Sequence, residues 1–275
     1  MYPMSSKSSS ASSSTTPNVA SLFQAAADDG TLTPGASQAL VTIPDIGQQI
    51  QAALGVSPDD VTSSEVVLVT MMPDDSGSMA GVNAQLAREG HNLVLEALGG
   101  SKQSESVLAH TRYLNGYVLY PYCQIAQAVR LDNMNYDPCH STPLYDQSVV
   151  LLGTVLAKAQ EFEMNGVPAR TITLIITDGA DCRSTHAKAK DVAKIVADMR
   201  RSEKHIVAAL GIDDGYTDFR QVFKSMGIED KWILTPKNNA SDIRAAFLLF
   251  SKSAVRASQS SKAFSATAGG GFGNP

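Results

Sequence analysis

Residues 65–80 read EVVLVTMMPDDSGSMA. The first seven, EVVLVTM, form a β-branched apolar run of the kind that builds a buried strand. The run ends in a proline, two adjacent carboxylates, two serines and a glycine. After this polar loop the spacing changes. Over 80–98, Leu86, Leu93, Val94, Ala97 and Leu98 recur on one side of a predicted helix. The unit is therefore strand, polar loop, helix.

The same alternation continues toward the C-terminus. SVLAHTRYLN (106–115) and YVLYPY (117–122) predict a hairpin around Asn115-Gly116, a strong two-residue turn signal. A long helix is expected over 143–162. RTITLIIT (170–177) and HIVAALGI (205–212) lack polar alternation, as strands buried on both faces do. Helices are expected over 185–202, 216–226 and 240–254, and a short strand at WILT (232–235). Such a succession predicts a Rossmann-like α/β three-layer sandwich. Its sheet is mostly parallel, with one antiparallel edge strand supplied by the hairpin. Ligands of such sheets bind beyond the carboxyl ends of the strands. The loops after 71, 122, 177, 212 and 235 are thus the places to look for chemistry.

The flanks differ in composition. Residues 1–17 are Ser-rich and predict a disordered tail, and the Gly/Ser-rich stretch 257–275 predicts another. Residues 18–60 predict a short helical extension, with Ile46, Ile50 and Leu54 on one stripe. Asp45 is its expected N-cap, with Gln48 three positions on. This extension is expected to cover one edge of the main domain, 61–256; a separate interaction arm is the alternative. The glycines of GGGFG follow no strand and precede no helix, so they form no phosphate loop.

Bulk properties exclude several classes. The 275 residues, 43% hydrophobic, supply a sizeable core. A net charge of −5 leaves no basic excess for nucleic acid. No run approaches the roughly 18 apolar residues of a membrane span, and the N-terminus has no secretory apolar segment. Three cysteines without a Cys-x-x-Cys spacing fit a reducing, cytoplasmic location.

Chemistry concentrates on three of the expected loops. The first offers Asp74, Ser76 and Ser78 in an Asp-x-Ser-x-Ser arrangement. HSTPLYD contributes Thr142, placed just before Pro143 at the expected start of the long helix. ITDGADC puts Asp178 directly after its strand. Together these are two carboxylates and three hydroxyls with no imidazole or thiolate among them. An all-oxygen set suits a hard cation such as Mg²⁺, which takes about six oxygens and keeps some waters. A cation held so lightly stays electrophilic and attracts an outside carboxylate. The plainer alternative is that Asp74 and Ser76 cap a helix and Asp178-Gly179 is an ordinary turn.

This constellation resembles the metal-ion-dependent adhesion site of von Willebrand factor A (vWA) domains, and the resemblance covers about 62–255. It implies that Asp74, Ser76, Ser78, Thr142 and Asp178 hold Mg²⁺ (or Mn²⁺ or Ca²⁺). It further implies a protein partner that donates a Glu or Asp to the metal. Among intracellular members of prokaryotic or viral type, the resemblance suggests an adaptor for an AAA+ ATPase, or a scaffold in a tellurium-resistance-type stress system. Asp75 and Pro73 depart from the motif; the extra carboxylate would either tighten metal binding or discourage an acidic ligand.

Enzyme readings fare less well. A serine hydrolase needs a base and an oxyanion hole. His140 is the one histidine on the expected rim, and no Gly-x-Ser-x-Gly elbow or Walker A loop occurs. A Mg²⁺-dependent phosphohydrolase usually needs more carboxylates. LDNMNYDPCH (131–140) does not follow the order of a calcium loop. The expectation is a binding module and not an enzyme, with a structural assembly subunit as the alternative of a different class.

Overall fold

The computed structural model describes residues 18–273. The Ser-rich stretch 1–17 and the last two residues lie outside the described residues. Six strands form one sheet: β1 (Val66–Pro73), β2 (Val107–Arg112), β3 (Val118–Gln124), β4 (Ala169–Thr177), β5 (His205–Gly211) and β6 (Ile233–Leu234). Their order is β3-β2-β1-β4-β5-β6. Every pairing is parallel except β2 with β3. Both central strands, β1 and β4, are buried along their whole length, as their unbroken apolar runs require. The hairpin turns at Gly116, where φ is +97°, a conformation that glycine adopts without a Cβ clash.

Helices cover the sheet. On one side α4 (Val82–Gly99) packs against α8 (Ala240–Ser258); on the other, α5 (Leu144–Met164) packs on β1 and β4 and beside α6 (Ala189–Arg201). A short α7 (Phe219–Ser225) connects β5 to β6. The helix α6 begins at Ala189, later than the expected 185, because the segment before it is held by α5.

The extension forms α1 (Val19–Asp28), α2 (Pro34–Leu40) and α3 (Ile46–Leu54). It lies over the outer surface of α5 and reaches α6 and β3, so it forms a layer above a helix. Almost every residue of α5 from Leu144 to Phe162 is buried as a result. Leu22, Leu40, Ile50 and Leu54 supply the apolar contact, each stabilising by about 1.5–3 kcal/mol. Gly153 on α5 makes room: a Cβ there would meet Leu40 at 2.9 Å and Ile50 at 3.1 Å. Polar ties complete the seam. Thr33 donates through both its N–H and its hydroxyl to Asp198 (2.7 and 2.8 Å). Lys158 of α5 donates to the Val56 carbonyl and pairs with Glu161 at 2.7 Å.

Three expectations need correction. Asp45 does not cap α3 through its side chain, because its backbone is left-handed (φ 52°) and no such hydrogen bond forms. Pro143 is the residue before the first turn of α5, not its first position. Within 257–275, the expected disordered tail, the chain forms a helix, α9 (Ser261–Gly270), capped by Ser260. Two aromatics hold it: Phe264 is buried, and Phe272 meets the Trp232 ring edge-on at 4.9 Å. Arg170 reaches the Ser261 hydroxyl and forms a bidentate pair with Glu65 (3.1 and 2.8 Å).

Candidate metal centre

Parallel strands bring the loops after β1, β4 and β5 to one rim, and the β2–β3 turn joins them there. The Asp-x-Ser-x-Ser loop leaves β1 while still tied to β4, since the Asp74 N–H donates to the Ile176 carbonyl (2.9 Å). It is then braided with the segment that leads into α5. The N–H groups of Cys139 and His140 both donate to the Asp75 carbonyl (3.0 Å), and the Gly77 N–H donates to the His140 carbonyl (3.0 Å). This braid carries Thr142 to the loop.

The five sequence-predicted residues meet as follows. The Ser76 and Ser78 hydroxyls are 3.0 Å apart, and the Ser78 hydroxyl donates to Asp178 Oδ1 (2.6 Å). Asp74 directly follows Pro73, the last residue of β1, and its Oδ2 accepts from the Thr177 hydroxyl (2.5 Å), whose residue directly precedes Asp178. Its Oδ1 accepts the Ser76 N–H (2.7 Å). A Cβ added to Gly179 would lie 3.5 Å from Thr142 Oγ1 and 3.9 Å from Ser78 Oγ, so these two hydroxyls face one small space. Thr142 is buried, and its hydroxyl makes no hydrogen bond among the described residues.

That hydroxyl is free because other groups cap α5. The N–H groups of Tyr145 and Asp146 donate to the Ser184 hydroxyl (3.0 and 2.9 Å). Asp146 in turn accepts N–H groups of Thr185, His186 and Ala187 (2.9, 3.2 and 2.6 Å). The loop after Asp178 and the helix after Thr142 thus cap each other.

The electrostatics of the rim are unbalanced. Asp74 is wholly buried and Asp178 nearly so. Burial lifts the Asp74 carboxyl to about 6, against the pull of hydrogen bonds from Thr177 and Ser76, and neighbouring Asp178 adds to the rise. Burial also raises Asp178 despite bonds from Ser78 and Asn83. Among the described residues no Lys or Arg pairs with either carboxylate. Buried charges are normally paired or bound to a metal. No group of three or more His, Cys, Asp and Glu side chains gathers among the described residues. Any cation here would need the hydroxyls as ligands, and the unpartnered Thr142 hydroxyl is free to serve. The donor set therefore fits a hard divalent ion.

Several contributing residues carried no signal in the sequence reading. Thr177 orients Asp74, and Asn83, from the first turn of α4, donates to Asp178 Oδ2 (3.2 Å). The Tyr136 hydroxyl donates to the Asp74 carbonyl. A polar residue closing the apolar run RTITLIIT is the only local mark of Thr177. Asp75 turns away to the hairpin, where its Oδ1 accepts the Asn115 N–H (3.0 Å) and His140 stands 3.8 Å from Oδ2. The extra carboxylate thus pins the turn and does not join the five oxygens.

No protein-family model matches the chain, and no curated protein matches it in sequence. Solved structures do match in shape. The pilus adhesin SpaC of Lactobacillus rhamnosus GG, in its open conformation, superposes with a TM-score of 0.53 at 14% identity over 71% of this chain. The chain spans only 30% of that adhesin's length. The strand order with its single antiparallel edge, together with the Asp-x-Ser-x-Ser loop on the carboxyl rim, decides the fold. The chain has the vWA fold. More distant likenesses are the SpRpn10 VWA domain (TM-score 0.47, 7% identity, 67% of this chain and 94% of that one) and the manganese-loaded TRAP protein of Plasmodium vivax (0.34, 12%, 68% and 74%). Within this vWA fold, no helix among the described residues is long and apolar enough to cross a membrane.

Proposed function

We propose that the chain is a divalent-cation-dependent protein-binding module and not an enzyme. One observation carries this reading: two buried carboxylates without a cationic partner share a rim with three hydroxyls, one of them unpartnered. Asp74, Ser76, Ser78, Thr142 and Asp178 would hold Mg²⁺, or Mn²⁺ or Ca²⁺ in its place. When bound, the cation supplies a positive, electrophilic point for an acidic side chain of a partner. The chain's own residues position that point and keep it lightly neutralised, since hydroxyls carry no charge.

The surroundings favour a protein over a small ligand. Tyr216, Met134 and Tyr117 of the rim loops are 97, 86 and 61% exposed, and Val82, which opens α4, is 66% exposed. Large apolar side chains displayed around a polar centre are typical of a protein-binding surface. A cytoplasmic adaptor for an AAA+ ATPase, or a scaffold of the tellurium-resistance type, would use such a surface.

Titration calorimetry with MgCl₂ tests the reading. The native chain is expected to bind Mg²⁺ and to melt at a higher temperature in its presence. Asp74→Ala is expected to abolish both effects while keeping the native circular dichroism spectrum. Undiminished Mg²⁺ binding by that variant would refute the reading.

A further inference from the structure

Beside the rim lies an open cavity of about 580 Å³, bordered by the β2–β3 turn and by the segment that leads to Thr142. Asp75, Tyr113, Tyr117, Met134, Asp137 and His140 line it. It shares its floor with the metal loop, because Asp75 stands between Asp74 and Ser76. Whatever sits at the rim therefore has this cavity as its immediate neighbour.

Its chemistry is specific. Tyr113 and Tyr117 stack with ring centroids 5.8 Å apart and planes 25° from parallel. Tyr117 and Met134 are open to solvent. The exposed Asp137 carboxylate makes no ion pair or hydrogen bond among the described residues. Asp75 adds a second carboxylate at the buried wall, where it accepts the Asn115 N–H and faces His140, and no Lys or Arg lines the space. Aromatic faces together with carboxylates are the environment a guanidinium prefers, since its plane stacks while its edge donates. Opposite charges thus stand side by side: a cation site that would draw an acid, and an anionic aromatic cavity that would repel one.

We propose that this cavity takes an arginine side chain, presented by the same partner segment whose acidic side chain is captured at the rim. The proposal rests on the metal-dependent reading above and sharpens it. The partner motif is an isolated acid with a nearby arginine, and polyacidic segments are rejected by Asp75 and Asp137.

The test uses the full chain and fluorescein-labelled synthetic peptides. Each carries one glutamate and one arginine at a set of spacings, with twins bearing glutamine or phenylalanine in place of arginine. Anisotropy is read in Mg²⁺ and in EDTA. The best arginine peptide is expected to bind roughly tenfold more tightly than its glutamine twin, the combined worth of a partly exposed ion pair and a cation–π contact. Asp137→Asn with Tyr117→Ala is expected to cut that preference to about twofold or less, leaving Mg²⁺ dependence intact. Equal binding of the glutamine or phenylalanine twin overturns the proposal, as does a preference that survives the double variant. Absence of binding by every peptide, in protein that takes up Mg²⁺ by calorimetry, overturns it too. Mg²⁺-dependent binding without arginine preference removes the cavity proposal alone. An arginine preference that persists unchanged in EDTA supports the cavity and removes the metal-dependent reading.

Discussion

The two poles of the sheet treat buried charge in opposite ways. At the amino pole, and along the seam beneath the extension, each buried ion has a counter-ion: Arg170 holds Glu65 at 2.8 Å and Lys158 holds Glu161 at 2.7 Å. At the carboxyl pole, Asp74 and Asp178 have only neutral donors. The first arrangement is complete by itself. The second keeps its charges at a cost in stability that a cation would offset. A fold of modest net stability tolerates such a deficit only because the rest of the core is well packed. Binding potential is thus concentrated at the one end where the electrostatics are left open.

The contrast can be broken most severely at the closed end. Glu161→Ala leaves Lys158 buried without its counter-ion and is expected to cost about 3–5 kcal/mol in urea denaturation. A loss below about 1 kcal/mol would mean the pair is not the tie described here.

A second measurement sharpens the contrast at the open end. The folded Asp74 pKa of about 6 lies above the ordinary 3.8. The native state therefore binds the extra proton, and its stabilising effect is complete below 3.8 and lost as pH rises through about 6. The metal-free protein should lose roughly 3 kcal/mol between those limits, the equivalent of about two pKa units. Asp74→Asn should flatten this dependence, and Mg²⁺ should reverse it near neutral pH. Thermal melts across the pH series, with and without Mg²⁺, read all three outcomes.

The smallest effect separates Asp75 from its neighbours. Asp75→Asn is expected to cost about 1 kcal/mol through the weakened bond to Asn115. Its Mg²⁺ affinity should stay within about threefold of the native value, since the carboxylate is directed to the Asn115 N–H and His140 and away from the five rim residues. A loss comparable to that of Asp74→Ala would put Asp75 among the ligands.

Much of the fold could be read from local pattern. Unbroken apolar runs marked β1, β4 and β5, Asn115-Gly116 marked the hairpin, and 3.6-residue spacing marked α4, α5 and α8. The start of α6 could not be read, because Asp146, about forty positions away in the chain, holds the segment before it. The helix α9 was hidden by its Gly, Ser and Ala content, while two phenylalanines held by distant partners order it. The five rim residues were legible because the motif itself lists them. Their supports, Thr177, Asn83 and Ser184, belong to tertiary contacts that no spacing rule records. The direction of the Asp75 side chain was hidden for the same reason, since it depends on a turn forty residues later.

Trp232 is the chain's single tryptophan, and it lies at the amino pole against Phe272, at the entry to β6. Indole emission will therefore follow undocking of the C-terminal helix and global unfolding, and will be blind to events among the carboxyl-end loops. Ligand titrations watched by intrinsic emission would look silent in a fully competent protein. An optical reporter of occupancy has to be introduced at the other end of the sheet, with Tyr216, 97% exposed, a suitable place to put it.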